Sequence, residues 1–226
     1  RVGWPARWRA TPGRHRPRPV AGRIAGFAAA AGRAANDWPM GEPIELTRQV
    51  APIIADIVFS ALVDGQGRVD TKAVAADMPA YIQRIASFGS LDLLPLPEAW
   101  LDRLRGIPSD PAVQHLRDVA SKLAATRSGG EDMIALLEGV GPLQDNILGL
   151  MPAAMDTTVS GASWALYTLA RCPDWQARVA EEARACGGEF SLDKLPLTRR
   201  VVQEVLRLYP PAPLVVRGAS KATEFA

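Results

Sequence analysis

The run Pro152-Ala153-Ala154-Met155-Asp156-Thr157-Thr158 places a carboxyl group and two hydroxyls in the middle of an otherwise apolar stretch. An acid beside a hydroxyl is a pair that can hold and pass a proton. Pro152 has no N–H and clashes with the carbonyl of Leu148, so a helix here is expected to open or kink. Ala153 and Ala154 are small and leave room for something flat, and Thr157 can bond the carbonyl of Ala153. Two readings are open. One is a proline kink whose polar residues meet solvent; the other is an opened helix with a protic pocket beside a bound group. In the second, burial would make Asp156 costly to keep charged unless it is paired. A second constellation is Glu204 and Arg207, three apart and therefore on one helix face. A surface ion pair of this kind is worth little. Its setting, V-V-Q-E-V-L-R-L-Y-P-P-A-P-L-V-V-R, is apolar and suggests instead a buried pair with further partners, followed by Arg217.

Other chemistries find little support. Two cysteines, Cys172 and Cys186, set no disulfide framework and have no metal-ligand spacing. His15 and His115 are the two histidines and neither has a second ligand at helical spacing, so no closed zinc site is expected. The net charge of +2 is uneven. Residues 1–36 carry eight arginines and no acid; the other 190 residues hold 18 basic and 24 acidic side chains, a net of −6. Such an arm could touch nucleic acid or anionic lipid. It lacks lysine and has prolines at 5, 12, 17 and 19, so it forms no clean basic helix, and a nucleic-acid partner is not expected.

The elements that must position these residues read as helices. With 48% hydrophobic and 22% charged residues, the chain can bury one sizeable core. Val20–Ala35 is alanine-rich and predicted helical. Leu46, Val50, Ile53, Ile54, Ile57, Val58, Ala61 and Leu62 recur at spacings of three and four, the buried stripe of an amphipathic helix over Ile44–Val63. Asp70-Thr71 caps a helix expected to reach Phe88. Gly89–Pro111, with its prolines and leucines, reads as an ordered loop packing apolar side chains on the body. Pro111 starts a helix to Arg127, and a short one follows over Glu131–Leu137. Leu143–Ala170 is long, roughly 40 Å at ~1.5 Å per residue, and apolar on most sides, so it is expected to run through the interior. Helices over Trp175–Ala185 and Leu197–Tyr209 follow, the last stopped by Pro210-Pro211. Leu214-Val215-Val216-Arg217 reads as a short extended strand. The fold class is therefore mainly α. The longest apolar stretch, Ile147–Met155, is too short to span a bilayer. Low lysine and high arginine fit a bacterial gene of high GC content and a cytoplasmic protein. Because the first residue is Arg1, the natural N-terminus is expected to be absent, leaving a signal or anchor in the parent protein open.

Together these residues resemble the cytochrome P-450 family. Its long central helix has a small-residue pair, a variable position, an acid and a threonine, as A-A-M-D-T-T does. A later helix has E-x-x-R followed by a proline-rich turn and an arginine, as Glu204, Arg207, Pro210, Pro211 and Arg217 do. L-A-R-C-P-D-W-Q-A-R-V is similar to the connection into the family's next helix, and L-D-L-L-P-L-P-E-A-W-L-D-R to a loop of bacterial members. The match covers roughly residues 20–220; residues 1–19 form a poorly matching Arg/Pro-rich segment, and 20–226 would be a partial cytochrome P-450-like helical domain.

The resemblance implies haem b as cofactor, O2 and a small apolar organic substrate, with electrons from NAD(P)H through a ferredoxin- or flavoprotein-type donor. By it, Thr157 would hydrogen-bond on the oxygen side of the haem and Asp156 would relay protons from solvent. Ala153 and Ala154 would lie over the haem face, and Leu150 and Met155 would shape the pocket with Leu214, Val215 and Val216 on the substrate side. Arg217 would pair with a propionate, while Glu204 and Arg207 would be structural. Ala154 stands where the family usually has glycine. The family's iron-ligand cysteine lies in a glycine-rich loop after the E-x-x-R helix. Neither Cys172 nor Cys186 has that context, so no metal ligand is assigned and the isolated chain is expected to be inactive as a monooxygenase. The competing expectation is a non-catalytic all-α ligand-binding module on the same scaffold.

Overall fold

The stripe that runs from Val50 to Phe59 becomes the first wall of a helical core. In the computed structural model, residues 23–62, 69–86, 96–125, 134, 137 and 141–214 are described. Eight α-helices are defined among them: α1 (Ile24–Ala35), α2 (Leu46–Leu62), α3 (Thr71–Ala86), α4 (Glu98–Leu104), α5 (Pro111–Ala125), α6 (Leu143–Arg171), α7 (Pro173–Ala185) and α8 (Pro196–Leu208). Short 3-10 turns occupy Ile107–Ser109 and Leu192–Lys194.

Helices α2, α3, α5 and α6 form a four-membered ring in which α2 and α5 each touch both α3 and α6. Their inward residues make one core: Val50, Ile54 and Phe59 from α2, Val74, Met78 and Tyr81 from α3, Leu116 and Leu123 from α5, and Ile147, Met151 and Met155 from α6. Burying such side chains is the main stabilising term, at about 1.5–3 kcal/mol each. α1 lies on α2, while α7 and α8 pack on α6 and on each other.

Polar contacts set where the helices start. The amide of Ala73 donates to Asp70 Oδ1 at 3.0 Å, the cap expected for α3. The Thr71 hydroxyl donates to Asp56 and ties that end to α2. Asp110 accepts from Ala112 and Val113 amides at 3.0 and 3.4 Å at the start of α5. It also takes Arg84 Nε at 2.9 Å from α3. Asp77 on α3 and His115 Nδ1 on α5 meet at 2.6 Å.

Three expectations are corrected. The segment expected to be loop from Gly89 to Pro111 contains α4 and a 3-10 turn. Its prolines fence the helix: Pro97 precedes the first residue and Pro108 follows the last, while E-A-W-L-D-R-L between them is free to coil. α6 does not run through the interior. It buries one face, through Ile147, Met151, Met155 and Ser163, and leaves the opposite face exposed. It also continues unbroken through Pro152. The expected strand starts at Leu214, which is 79% exposed and in no regular element; Val215, Val216 and Arg217 lie outside the described residues. So do residues 1–22, and most of the helix expected over Glu131–Leu137, of which Ile134 is fully buried. Among the described residues no helix is long and apolar enough to cross a membrane.

Candidate functional site

An α-helix turns 100° per residue, so residues four apart share a face. On the uncovered face of α6 that set is Gly149, Ala153 and Thr157, all exposed. They form a ledge of small side chains spanning about 12 Å at ~1.5 Å per residue. A methyl added at Gly149 would meet no atom within 4 Å. The next member, Gly161, is covered: a methyl there would sit 3.4 Å from Leu206 and 3.7 Å from Pro211, so it marks where α8 lies down on α6.

Both threonines of the motif bond back along the helix. Thr157 Oγ1 donates to the Ala153 carbonyl at 3.0 Å, as its sequence position predicts, and Thr158 Oγ1 to the Ala154 carbonyl at 2.7 Å. Asp156 is exposed rather than buried, so it needs no buried partner. It lines a groove of about 1110 Å³ between the start of α2, the outer face of α3 and α6. Arg48, Lys72, Glu45 and Ser160 share this groove, with Val159 and Pro52 among its apolar lining. Asp156 and Thr157 are therefore neighbours pointing about 100° apart, one into the groove and one onto the ledge. Ser163, deeper in the same groove, keeps its hydroxyl buried with no hydrogen-bond partner.

Other site residues fall elsewhere. Met155, expected to shape a pocket, is 1% exposed and belongs to the core. Ala154 and Leu150 are half-buried and pack on that core, so Ala153 and Ala154 do not lie together on the open face. The reason is geometric: adjacent helical positions cannot face the same way. Glu204 and Arg207 do pair, with Nε to Oε2 at 2.8 Å and Nη2 to Oε1 at 2.6 Å. The pair is not buried, however; the side chains are 55% and 66% exposed. Hydrogen bonding from Arg207 holds the Glu204 carboxyl below its ordinary range against the opposing effect of desolvation. Val202, Leu206 and Leu208 beside it are themselves exposed, so the apolar setting does not enclose the pair.

Two further features have no local signal in the sequence. Trp164 stacks on Tyr209 with centroids 4.2 Å apart and planes 4° from parallel, fastening α6 to the turn after α8. Glu182 of α7 accepts the Leu197 amide at 2.7 Å and, at 2.8 and 2.6 Å, the Thr198 amide and hydroxyl. Fifteen residues separate Glu182 from Leu197, beyond the reach of any local spacing signal.

The haem implied by the sequence resemblance can be tested against this surface. The Gly149–Ala153–Thr157 ledge fits one side of a flat macrocycle, because its three residues are small or short and exposed among the described residues. An axial ligand is another matter. The exposed Cys172 lines a separate groove between α6, α7 and α8. Cys186 is buried, with its thiol near the carbonyls of Glu182 and Lys194 at 3.4 and 3.7 Å. Among the described residues no three His, Cys, Asp or Glu side chains gather as a metal site. The described residues thus fit one side of a flat group and offer no cluster of metal ligands.

Comparison with known proteins bears on the family and the fold. The cytochrome P450 family model matches residues 140–226. Cytochrome P450 4A10 of Mus musculus is 45% identical over 76 residues, which are 31% of this chain and 15% of that protein. Cytochrome P450 monooxygenase buaD of Petromyces alliaceus is 30% identical over 141 residues, 54% of this chain and 25% of its own length. Taurochenodeoxycholic 6 alpha-hydroxylase of Sus scrofa is 43% identical over 81 residues, 33% of this chain and 16% of its own. The chain thus aligns with a quarter or less of these curated relatives. The solved structure of retinoic acid-bound cyanobacterial CYP120A1 superposes with a TM-score of 0.60 at 22% identity, over 85% of this chain and 46% of that one. The match in sequence covers α6, α7 and α8, the helices that carry both motifs, and the match in fold extends over most of the rest: residues 140–226 match the cytochrome P450 family model, and the described chain has the fold of a partial cytochrome P450 domain.

Proposed function

We propose that this chain forms the oxygen-side wall of a haem-dependent monooxygenase that inserts one atom of O2 into an apolar organic substrate. The observation that carries the reading is the placement of Asp156 and Thr157 at the border between a solvent-open groove and a bare helical ledge. Haem, when bound, supplies the redox chemistry on dioxygen. Gly149 and Ala153 give a ring an exposed surface of small side chains. The Thr157 hydroxyl donates its proton to the Ala153 carbonyl, which leaves the lone pairs of its oxygen free to accept; donating elsewhere requires the hydroxyl to turn away from that carbonyl. Asp156 exchanges protons with solvent through the groove and holds one beside Thr157 for delivery. By family resemblance, Arg217 is assigned to a propionate, and Leu150, Leu214, Val215 and Val216 to the substrate side. A ferredoxin- or flavoprotein-type donor would bring electrons from NAD(P)H.

The test uses the longer parent protein reconstituted with haem. Its reduced carbon monoxide complex should show the red-shifted Soret band of thiolate ligation. Haem bound without that band, or no haem bound, overturns the reading and favours a non-catalytic ligand-binding module. In the same protein Asp156→Asn is expected to slow turnover about 10²-fold or more while leaving the band in place. The 226-residue chain alone is expected to retain haem weakly and to show no turnover, since neither Cys172 nor Cys186 faces the ledge.

A further inference from the structure

We propose that Glu182 is the N-terminal cap of α8, supplied from the preceding helix, and that it holds the segment bearing Glu204 and Arg207 helical and in register on α6. The inference does not depend on haem or on the reaction.

A helix begins with amides that have no partner inside it, and a nearby Ser, Thr, Asp or Asn normally supplies one. α8 has none: the N-cap residue is Leu195, with no side-chain hydrogen bond, and Pro196 opens the helix without an N–H. The next two amides, of Leu197 and Thr198, are the orphans. Glu182 takes one with each carboxylate oxygen, and its second oxygen also accepts the Thr198 hydroxyl. A carboxylate at this position also meets the positive end of the helix dipole. Burial alone would raise the Glu182 pKa, but the Thr198 hydroxyl and the two amides hold it below the ordinary range.

The contact matters because little else fixes this part of the fold. α7 buries no side chain, and Val205 is the one buried residue of α8. A 13-residue helix is marginal by itself in water. Its grip on α6 comes from Leu206 against Gly161 and from Tyr209 against Trp164, both towards its C-terminal end. The far end is held to α7 by Glu182. Lys194 and Glu189, paired at 2.8 Å, brace the intervening turn. Losing the Glu182 carboxylate should free the first turns of α8 while α2, α3 and α5 stay as they are.

Amide hydrogen exchange on the full 226-residue chain tests this. In Glu182→Ala and Glu182→Gln, amides of residues 197–203, the first turns of α8, are expected to exchange at least about fivefold faster, with α2 and α5 unchanged. Adding Leu195→Asp to Glu182→Ala installs a local cap and should restore slow exchange at the start of α8. Unchanged exchange in both single variants overturns the proposal. So does loss of protection spread equally over all helices, which would make Glu182 a general stabilising residue, and so does failure of Leu195→Asp to reverse the effect.

Discussion

Met155 and Thr157 stand two positions apart on α6 and answer to different forces. Met155 fills the core at 1% exposure, whereas Thr157 stands on the open ledge with its hydroxyl on its own helix. Met155→Ala is expected to cost about 2–5 kcal/mol through lost burial and the cavity left behind. Thr157→Ala should stay within about 0.5 kcal/mol, because the side chain is exposed and its hydroxyl bonds within its own helix. Urea unfolding of the two variants checks the contrast; equal losses would mean that the ledge is covered in solution. The order of residues in A-A-M-D-T-T was legible at once, and so was the back-bond of Thr157. Which residue faces which way was not, because motif order ignores the 100° step that sends Met155 inward and Asp156 outward. Glu204 and Arg207 show a related limit. Their pairing follows from spacing, but their exposure depends on whether anything covers Val202 and Leu206, and no local pattern states that. Arg207→Ala is therefore expected to shift the thermal midpoint of this chain by only about 1–2 °C.

At the scale of elements, helix ends and helix crossings decide the geometry. Asp110 serves two amides of α5 and Arg84 of α3 at once. Desolvation pulls its pKa upward, yet the Val113 amide, Arg84 and the Ala112 amide hold it below the ordinary value. Glu182 and Glu204 are lowered as well. Each binds protons more readily when unfolded, so the stability they contribute is present above the unfolded pKa and is lost as the pH falls through the folded one. The urea midpoint should accordingly drop on acidification below about pH 5. Asp110→Asn should lower the midpoint at neutral pH and flatten part of that acid slope; an unaltered slope would separate Asp110 from acid unfolding. The crossing of α6 and α8 gives a further case. A methyl at Gly161 would meet Leu206 at ordinary contact distance, so Gly161→Ala is expected to stabilise by roughly 0.5–1 kcal/mol from helix propensity. Gly161→Leu should instead lift α8 and lower the thermal midpoint.

Over the whole molecule, each helix of the ring was legible by a different signal: α2 by the three-and-four spacing of its apolar residues, α3 and α5 by Asp70-Thr71 and Pro111 at their starts, and α6 by its apolar length; which helix packs on which was not. The boundaries of α2 and α6 fall within two residues of those read from the sequence, with Leu46–Leu62 against Ile44–Val63 and Leu143–Arg171 against Leu143–Ala170. α4 was missed because four prolines nearby signal loop, though all stand outside the helix. The one-sided burial of α6 was missed because a helix with alanine, leucine and glycine on all sides has no polar face to mark what stays uncovered. The result is a molecule with several large apolar side chains in the open: Trp100, Leu104, Tyr167, Leu206 and Leu208 among them. Exposed apolar patches favour association, and this chain is expected to self-associate as its concentration rises and to bind a hydrophobic dye. Sedimentation that gives a single monomer over a wide concentration range would contradict that.

Gly149 carries a consequence of its own. Glycine inside a helix sacrifices roughly 0.5–1 kcal/mol relative to alanine, and here no neighbour forbids the extra methyl. Packing among the described residues therefore gives no reason for glycine at this position. Gly149→Ala should make the folded chain firmer, and the same methyl should make the ledge a poorer seat for any flat guest. A variant that melts higher but binds less would put a measured value on an empty space, with headroom above the helix traded against rigidity within it.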